Sequence, residues 1–597
     1  MSHRYNLRSI EEVKKICEKE ETEQGNDRLS SDDESDHIEE VTNSESEETV
    51  SDLETTDESE SESASQQQHK VPTGRKRGRP TTRGTATSCR PRKPSVIHGH
   101  DGYQWYSAAR EKVHHQDHVS SFLPGPVGEA WNARTPLEAW SLLLNNTILE
   151  KIVLHTNEEI TRYRDSVETE NYVNHVYSNV GLDELKAFIG ILYFSGLQKT
   201  SSTNVGDLWS ADYGAVIYRA TMSSRRYNFL SRMIRFDNKY TRPQRRQIDK
   251  FAPIREVWES FISNCTKFYT PASYCTIDEQ LVSFPGRCPF KVYNRLKPDK
   301  YGIKIVMLND SQTFYMYTAE PYVGKVTTEP DESVPSYYLR KLSEPLHGTS
   351  RNLTCDKWFS SIEIFDKMLQ DHSLTMVGTI KRNRRQIPAS FRKAGPVSSV
   401  RFAFDESKSL VCYTPKKKKI VLLLSTFHQT AEIDQKSQKP EIIKFYDSTK
   451  GGTDTFNQMC HEYTTARKTL RWPMRIWMAM LDQVGINAMV LYNFNGNNQL
   501  LARRQFLKTL VRALIEPHLR ARLQIVNLRR NLRLYIEEIL DIAEPMVRAK
   551  CTPGKRARCA FCPRSNDRKS RTVCANCNRV LCEDHRTLYC PLCSVRD

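Results

Sequence analysis

The last part of the chain carries paired cysteines whose spacing restricts what it can fold into. Seven of the 16 cysteines fall within residues 559–597, together with one histidine. They form four pairs, each with two residues between its members, which is the spacing typical of tetrahedral zinc sites. The eight candidate ligands are Cys559, Cys562, Cys574, Cys577, Cys582, His585, Cys590 and Cys593. Eight ligands are enough for two zinc ions.

The order of the pairs predicts which ligands share an ion. In an interleaved, cross-brace arrangement the first and third pairs bind one zinc ion, and the second and fourth pairs bind the other. The histidine falls elsewhere in RING and PHD domains, so a ubiquitin ligase or a histone-tail reader is the weaker interpretation. A segment with so few aliphatic residues needs metal in order to fold. We therefore predict a small zinc domain at residues 553–597.

The net charge of +16 combines two segments of opposite sign. Residues 1–69 carry 22 acidic and 6 basic side chains, and the other 528 residues carry 82 basic and 50 acidic ones. Residues 29–69 hold 15 of the acidic residues and no Lys or Arg, a composition that cannot bury a core. We predict a disordered acidic tail before a basic body, whose expected partner is nucleic acid.

Two short patterns lie in this amino-terminal region. Ser31, Ser44 and Ser59 each precede an acidic residue by three positions, which is the pattern of an acid-directed kinase site; the alternative is a solvating tail in which the pattern is incidental. Arg77 and Arg79 flank a glycine in GRKRGRP, which resembles an AT-hook that binds the minor groove of A·T-rich DNA. The alternative for this motif is a nuclear localisation signal. Both interpretations of the basic linker, residues 70–120, place the protein in the nucleus.

The sequence predicts neither secretion nor insertion into a membrane. Its first residues lack the apolar stretch of a secretory signal, and no run of about 18 apolar residues is present. The cysteines before the paired segment are scattered singly, as in proteins of a reducing compartment.

Two apolar patterns predict a multi-domain α/β protein. Residues 137–265 have apolar positions three and four apart, which indicates helices, whereas residues 273–380 contain short β-branched and aromatic runs between turns, which indicates strands. Residues 381–440 interrupt this rhythm with basic sequence and a hairpin whose predicted turn is four lysines, so we predict an insertion there. After it, residues 441–460 indicate a strand, a glycine-containing turn and the start of a helix.

Three aspartates stand where strand-to-helix folds place metal ligands. They are Asp278 in CTIDEQL, Asp356 in LTCDKWF and Asp454 in KGGTDTF. Carboxylates bind hard divalent cations, and two such cations can assist displacement at phosphorus. Apolar neighbours would bury one face of each strand and leave Asp278 and Asp356 converging at an edge. For each aspartate alone, the alternative is a strand-end or turn residue.

Four longer segments resemble the piggyBac family of transposases, and the likeness extends from about Leu137 to residue 597. The segments are residues 276–305, 347–362, 446–460 and 467–480. The resemblance implies a ribonuclease H-like catalytic domain at 269–380 and 441–457, an insertion domain at 381–440, and helical dimerisation and DNA-binding parts at 121–268 and 458–545. By position it implies that Asp278, Asp356 and Asp454 are the catalytic aspartates and bind two Mg²⁺ or Mn²⁺ ions per active site.

The resemblance also implies a reaction. In cut-and-paste transposition, water attacks at the transposon ends, the freed 3′-hydroxyl forms a hairpin, and the reopened end joins double-stranded target DNA at TTAA. The expected enzyme is a homodimer whose zinc domain recognises the transposon end. Asn457 stands where some family members have a further Asp, but the three aspartates are intact. The alternative is a host-adopted DNA-binding or chromatin protein that no longer transposes.

Basic residues near the catalytic segments are candidate phosphate contacts. We predict DNA contacts by Arg382, Arg384, Arg385, Arg467, Lys468 and Arg471; Arg295, Lys297 and Lys416 to Lys419 lie nearby in sequence. The indole of Trp472 is a candidate for stacking on an unpaired base. Without the resemblance, Trp472 is better explained as a helix-packing residue.

Overall fold

A computed structural model of the chain contains two compact units. It describes residues 9–22, 95–109, 122–166, 175–294, 300–324, 326, 328, 330, 332–526, 528–542, 556–574 and 579–585. The first unit consists of Met1–Leu144, Lys239–Glu462 and Thr469–Gln505, and the second of Asn145–Asn238, Tyr463–Lys468 and Phe506–Asp597.

Strands dominate the middle of the chain. In order they are β1 Val96–His98, β2 Gln104–Tyr106, β3 Gly125–Pro126, β4 Tyr269–Thr270, β5 Tyr274–Ser283, β6 Val292–Tyr293, β7 Tyr301–Asp310, β8 Met316–Pro321, β9 Asn352–Cys355, β10 Thr375–Thr379, β11 Val400–Phe404, β12 Ser409–Lys416, β13 Lys419–Ser425, β14 Ala557–Arg558 and β15 Lys569–Ser570.

Helices precede and follow the strand-rich segment, and several lie within it. They are α1 Ile10–Thr22, α2 Pro136–Leu143, α3 Asn146–Asp165, α4 Leu182–Leu197, α5 Val205–Leu208, α6 Val216–Thr221, α7 Ser224–Met233, α8 Arg242–Ile248, α9 Arg255–Lys267, α10 Val334–Ser343, α11 Ile362–Gln370, α12 Glu441–Thr449, α13 Gly452–Glu462, α14 Trp472–Phe494, α15 Arg503–Leu523 and α16 Arg530–Ile539.

A mixed sheet forms the framework of the first unit. Within the described residues it has 11 strands in the order β1-β2-β11-β12-β13-β10-β9-β5-β7-β6, and β8 also pairs with β7. Strand β9 runs parallel to both β5 and β10, whereas the other neighbours are antiparallel. The predicted strands in residues 273–380 are confirmed.

Helix α14 is the core helix of the first unit. Nearly all of its side chains are buried, including the polar Gln483 and Asn487, because its sequence is apolar around the whole helix. Each buried amide has a partner: Gln483 Nε2 donates to Gln280 Oε1 at 2.8 Å, and Asn487 bonds to both backbone polar groups of Met316 at 2.9 and 2.8 Å. The helix is therefore fixed against β5 and β8.

The β1–β2 hairpin extends the sheet beyond β11. Trp105 is fully buried, and its Nε1 donates to the carbonyl of Gln386 at 2.9 Å. The hairpin also bonds to Arg385, whose carbonyl accepts from the backbone N–H of His100 at 2.7 Å. These contacts hold residues 95–109 against the loop that follows β10.

The second unit is helical around buried arginines. Arg226 on α7 is 3% exposed and pairs with Glu184 on α4 through Nε and Nη2 at 2.8 and 2.6 Å. Its Nη1 also donates to the carbonyls of Val176 and Ser178 at 2.8 Å each. A buried guanidinium is stable only when its charge and donors are matched in this way. The predicted helices in residues 137–265 are confirmed.

Two local predictions are wrong. Residues 441–449 form helix α12, not a strand; the isoleucines favour a strand by propensity, but burial of Ile442 and Ile443 on one helical face outweighs it. The hairpin turn is also shorter than four lysines, because Lys416 and Lys419 pair as the ends of β12 and β13. Both strands join the main sheet, so residues 381–440 add to that sheet.

Within the described part of the chain, none of the helices combines the length and the apolar character that a membrane span requires.

Candidate active site and metal cluster

Two of the three aspartates lie side by side where the pairing of β5 and β9 ends. The parallel pairing of β5 and β9 sets Ile277 opposite Cys355, and Asp278 and Asp356 are the next residue on each strand. Strand β9 ends there, whereas β5 continues and pairs with β7 alone. The sequence expectation that these two strands converge is therefore met by their register.

A ladder of buried hydroxyl groups brings the third aspartate to this point. Thr276 Oγ1 donates to the carbonyl of Thr449 at 2.6 Å, and Thr354 Oγ1 lies 2.7 Å from Thr449 Oγ1. On the next turn Thr453 Oγ1 donates to Asn309 Oδ1 at 3.1 Å. These bonds fix the junction between α12 and α13 onto the sheet. Asp454, the third residue of α13, is held by that junction.

Gly452 allows this close approach. A Cβ atom at that position would lie 2.5 Å from Thr276 Oγ1 and 3.3 Å from the Cα atom of Ser311. Real side chains do not approach so closely, so any larger residue must push α13 away from the sheet. At the neighbouring Gly451, by contrast, an added Cβ would lie 3.9 Å from Thr455 Oγ1, an ordinary contact.

The carboxylate of Asp278 is surrounded by other negative charges. Burial raises the pKa of Asp278 well above its ordinary value, and the charges of Glu279, Asp454 and Asp356 raise that pKa further. A backbone bond from Glu279 N to Asp278 Oδ1, 2.7 Å long, opposes the shift. Carboxylate oxygens are the type of donor that Mg²⁺ and Mn²⁺ prefer. The residues present therefore fit a divalent-cation site.

Sequence reasoning missed the residues that hold these carboxylates. Thr379 Oγ1 donates to Asp356 Oδ1 at 3.0 Å. Burial raises the pKa of Tyr446 well above its usual range, and Asp356 and Asp278 add to the effect, so its phenol stays neutral beside the site. A signal was present in the sequence: Thr276 and Thr354 each precede an aspartate by two positions, which on a strand means the same face.

Asn457 lies one turn after Asp454 on α13. Its Nδ2 donates to the carbonyl of Glu279 at 3.4 Å, next to Asp278 in β5. The amide thus ties the helix to the strand. A carboxylate there would accept hydrogen bonds only and would add to the repulsion at Asp278.

A basic loop begins two residues after Thr379. Arg382, Arg384 and Arg385 are all exposed in it. The loop lines a cleft of about 440 Å³ formed by Asp101, Lys381, Asn383, Arg384, Arg385 and Gln386. Because Arg392 Nη2 donates to the carbonyl of Arg384 at 2.9 Å, the loop is held in shape. Its three arginine side chains are presented to solvent.

The predicted DNA contacts at residues 467–472 differ from one another in exposure. The guanidinium of Arg467 donates to Ser195 Oγ at 3.3 Å and to the carbonyls of Thr200 and Thr203, so it organises the second unit. Lys468 is exposed and Arg471 half-buried. Trp472 is only 9% exposed and packs against Phe251 and Phe290, with ring centroids 5.6 and 5.0 Å away. In this structure Trp472 is a packing residue.

Four predicted ligands lie together in the carboxyl-terminal region. The ligand atoms of Cys559, Cys562, Cys582 and His585 are all within 4.8 Å of one another, the set expected for the first and third pairs. His585 Nδ1 is 3.2 Å from Cys582 Sγ and 3.7 Å from the sulfurs of Cys559 and Cys562. Beside them Cys574 and Leu581 form a small buried core with Phe561. Three thiols and one imidazole are a tetrahedral donor set.

Several predicted features lie outside the described residues. These are the acidic segment 29–69, Arg77, Arg79, Arg295, Lys297, Cys577, Cys590 and Cys593.

Comparisons with known proteins agree with one another. A family model described as Transposase IS4 matches residues 135–489. Human PiggyBac transposable element-derived protein 3 is 24% identical over 361 residues, which are 57% of this chain and 58% of that protein. The human Chimeric ERCC6-PGBD3 protein is also 24% identical over 361 residues, 57% of this chain and 32% of that protein. The chain thus spans less than two thirds of either relative.

A solved structure covers more of the chain. A cryo-EM structure of a piggyBac transposase synaptic complex with hairpin DNA matches with a TM-score of 0.72 and 37% sequence identity. The match covers 79% of this chain and 100% of that chain.

Replacing Gly452 by alanine should disrupt metal binding. Because the added methyl group meets Thr276 in the buried ladder, α13 and Asp454 must shift, and we expect Mn²⁺ affinity to fall about 10- to 100-fold. Gly451→Ala is the matched control, since its methyl group has room. Isothermal titration of both variants measures the difference; equal affinities would show that the close approach does not set the position of Asp454.

Metal affinity should rise with pH. The pKa of Asp278 is raised, and only its ionised carboxylate binds a cation, so cation binding releases a proton. Below that pKa we expect the Mn²⁺ affinity to increase by up to about tenfold for each pH unit. Mn²⁺ titrations of zinc-loaded protein between about pH 5 and about pH 8 test this. Asp278→Asn should lose the dependence. An affinity independent of pH in the unaltered chain would contradict the assignment.

The four-residue cluster should hold one zinc ion. We expect Cys562→Ser to lower the zinc content of the purified chain by about one ion, because it removes one of four ligands. Cys288→Ser, which alters a half-buried cysteine outside the cluster, should leave the content unchanged. Elemental analysis after extensive dialysis measures both. The same zinc content in all three proteins would refute the site.

Proposed function

Because the chain belongs to the piggyBac family of DNA transposases, we propose that it catalyses cut-and-paste DNA transposition. The observation that carries the proposal is the meeting of Asp278, Asp356 and Asp454 where the pairing of β5 and β9 ends; burial and the charges of Glu279, Asp454 and Asp356 raise the pKa of Asp278 there. The proposed reaction is metal-dependent cleavage at transposon ends through hairpin intermediates, followed by joining to TTAA target sites.

Sheet order supports a ribonuclease H-like catalytic domain. Strands β8, β7 and β5 are successive antiparallel neighbours, and β5, β9 and β10 are parallel neighbours. In such a sheet, β5 and β9 end their shared pairing at the two aspartates, and a following helix supplies the third. The proposal that this is a three-aspartate phosphoryl-transfer site rests on that order together with the hydroxyl ladder.

Each residue of the site has a distinct proposed role. Asp278, Asp356 and Asp454 would hold two Mg²⁺ or Mn²⁺ ions, which when bound activate the attacking oxygen and stabilise the leaving oxygen at phosphorus. Thr379 orients Asp356 by its 3.0 Å hydrogen bond. The phenol of Tyr446 is neutral and therefore adds no further negative charge where the phosphate would bind. No serine or cysteine nucleophile is required.

DNA is the proposed partner because of the charge of the body and the basic loop. Arg382, Arg384 and Arg385 project from the loop that follows β10, close in sequence to Thr379. Guanidinium groups neutralise phosphates and bind them bidentately. We propose that this loop, with Lys468 and Arg471, contacts double-stranded DNA. The AT-hook-like segment with Arg77 and Arg79 would add minor-groove binding in the nucleus, the proposed location.

The zinc domain is proposed to recognise the transposon end. One Zn²⁺ ion would bind Cys559, Cys562, Cys582 and His585, whose ligand atoms already lie together. A second would bind Cys574, Cys577, Cys590 and Cys593, by the interleaved spacing. We further propose that the enzyme acts as a homodimer on paired ends, and that an acid-directed kinase modifies the amino-terminal tail.

A host-adopted protein is the second candidate. The observation that favours it is the name of a curated relative, a transposable element-derived protein. In that case the chain binds DNA or chromatin and the aspartates serve only as part of a scaffold. The intact aspartates, with the threonines and glycine that position them, favour the enzyme.

A cleavage assay separates the two candidates. Purified protein, Mg²⁺ and DNA that carries the ends of its own element should give nicks and then hairpins, resolved on denaturing gels. We expect Asp356→Ala to reduce the rate more than about 100-fold, beyond the 10- to 100-fold cost of losing an outer partner of a metal ligand.

Thr379→Val supplies the graded comparison. It removes the hydrogen bond to Asp356 but no metal ligand, so its rate should fall between those of the unaltered chain and Asp356→Ala. If the unaltered chain and Asp356→Ala both bind the DNA and neither cuts it, the host-adopted function is the correct one.

A further inference from the structure

Two tyrosines form an exposed pair at the edge of the main sheet. Tyr293 on β6 lies opposite Tyr301 on β7, and their ring centroids are 4.9 Å apart at an interplanar angle of 51°. The residues remain 56% and 51% exposed. A cross-strand tyrosine pair stabilises a hairpin through one side of each ring, so this pairing leaves aromatic surface open to solvent.

The pair lies on the same face of the sheet as the catalytic aspartate of β5. Residues directly opposite in an antiparallel pair point to one face, and Asp278 is opposite Met307 on β7. Tyr301 is six residues before Met307, so it points to that face as well. At about 3.3 Å per residue the separation along β7 is about 20 Å.

The face between these points is closed, and it opens again at the tyrosines. Ile303 and Ile305 share the face with Tyr301 and are fully buried. Along this face of β7, the solvent-exposed aromatic surface therefore begins at the tyrosine pair, where the buried stretch ends.

Positive charge accompanies the rings. The Lys291 ammonium lies 5.0 Å from the ring centroid of Tyr301 and is fixed by the carbonyl of Gly286, which accepts from its Nζ at 3.0 Å. Arg287 and Lys300 are exposed nearby in the same strand–loop segment. Aromatic faces beside cations are the combination that binds unpaired bases and the backbone that joins them.

We propose that Tyr293 and Tyr301 form a stacking platform for unpaired bases of DNA, with Lys291 contacting the adjoining phosphate. The proposal rests on the proposed function, because it adds a second site at which distorted or single-stranded DNA would bind the catalytic unit. The cations favour DNA as the occupant over a second copy of this basic chain, because two copies would bring like charges together.

The test compares single-stranded and duplex DNA. The double variant Tyr293→Ala/Tyr301→Ala removes both rings, and Tyr293→Phe/Tyr301→Phe retains them without the hydroxyls. Tyr213→Ala removes an exposed tyrosine of the second unit, 87% exposed, and controls for loss of any surface ring. The probes are a fluorescent single-stranded oligonucleotide and the blunt duplex of the same sequence, and the readout is the dissociation constant from anisotropy at fixed salt.

We expect the alanine pair to weaken single-strand binding about tenfold and duplex binding less than about twofold, because stacking requires an unpaired base. The phenylalanine pair and Tyr213→Ala should both resemble the unaltered chain. An oligonucleotide with 2-aminopurine should lose its fluorescence change in the alanine pair and keep it in the phenylalanine pair.

Other outcomes overturn the platform. Equal weakening of both probes, no weakening, or an effect shared by the phenylalanine pair would each exclude base stacking. A lower molecular mass of the alanine pair with unchanged DNA affinity would identify the rings as a protein interface. If the unaltered chain binds neither probe, the proposed function fails as well; if it binds both, only the platform is at stake.

Discussion

The negative charge gathered around the buried carboxylate of Asp278 is the constraint around which the three-aspartate site is arranged. Asp278, Asp356 and Asp454 come from two strands and a helix that are far apart in the sequence, and bringing them together costs electrostatic energy. Neutral hydroxyl groups carry the opposing interactions. Thr276, Thr354, Thr449 and Thr453 are all nearly or fully buried, and each bonds to another element. These neutral groups fix the junction of α12 and α13 to the sheet. They add no positive charge that would compete with a bound cation.

Local patterns predict the strand-rich character of residues 273–380 and the helices of residues 137–265, whereas the three aspartates were singled out with the help of the family resemblance. Alternation and turn residues define β5, β7 and β10, and the spacing of the cysteine pairs anticipated which four ligands lie together. Helix α12 was missed because isoleucine by itself favours a strand. The helix forms because the rest of the fold buries one of its faces. Such information is tertiary and is absent from a window of nine residues.

The positions of the basic side chains also depend on tertiary structure. Net charge predicts a surface for a polyanion, yet several arginines serve the interior. Arg351 and Arg503 are 4% and 1% exposed, and each donates to backbone carbonyls. Arg467 is used in a similar way, so only part of the excess positive charge faces solvent. Whether a cation points inward depends on carbonyls left unpaired at helix ends and turns, which sequence composition does not reveal.

The order of strands in the main sheet has a consequence for how the protein is made. Strand β2 pairs with β11 through Tyr106 and Phe404, nearly 300 residues later, and the parallel pair β5–β9 is likewise non-local. Contacts of such sequence separation form slowly, and during synthesis the earlier strand must wait for the later one. The third aspartate and helix α14 follow later still. A ribosome-bound chain therefore exposes unpaired strand edges until most of its length has emerged, and its third aspartate, Asp454, emerges only after β13. Nascent and prematurely terminated chains accordingly lack the assembled group of three aspartates.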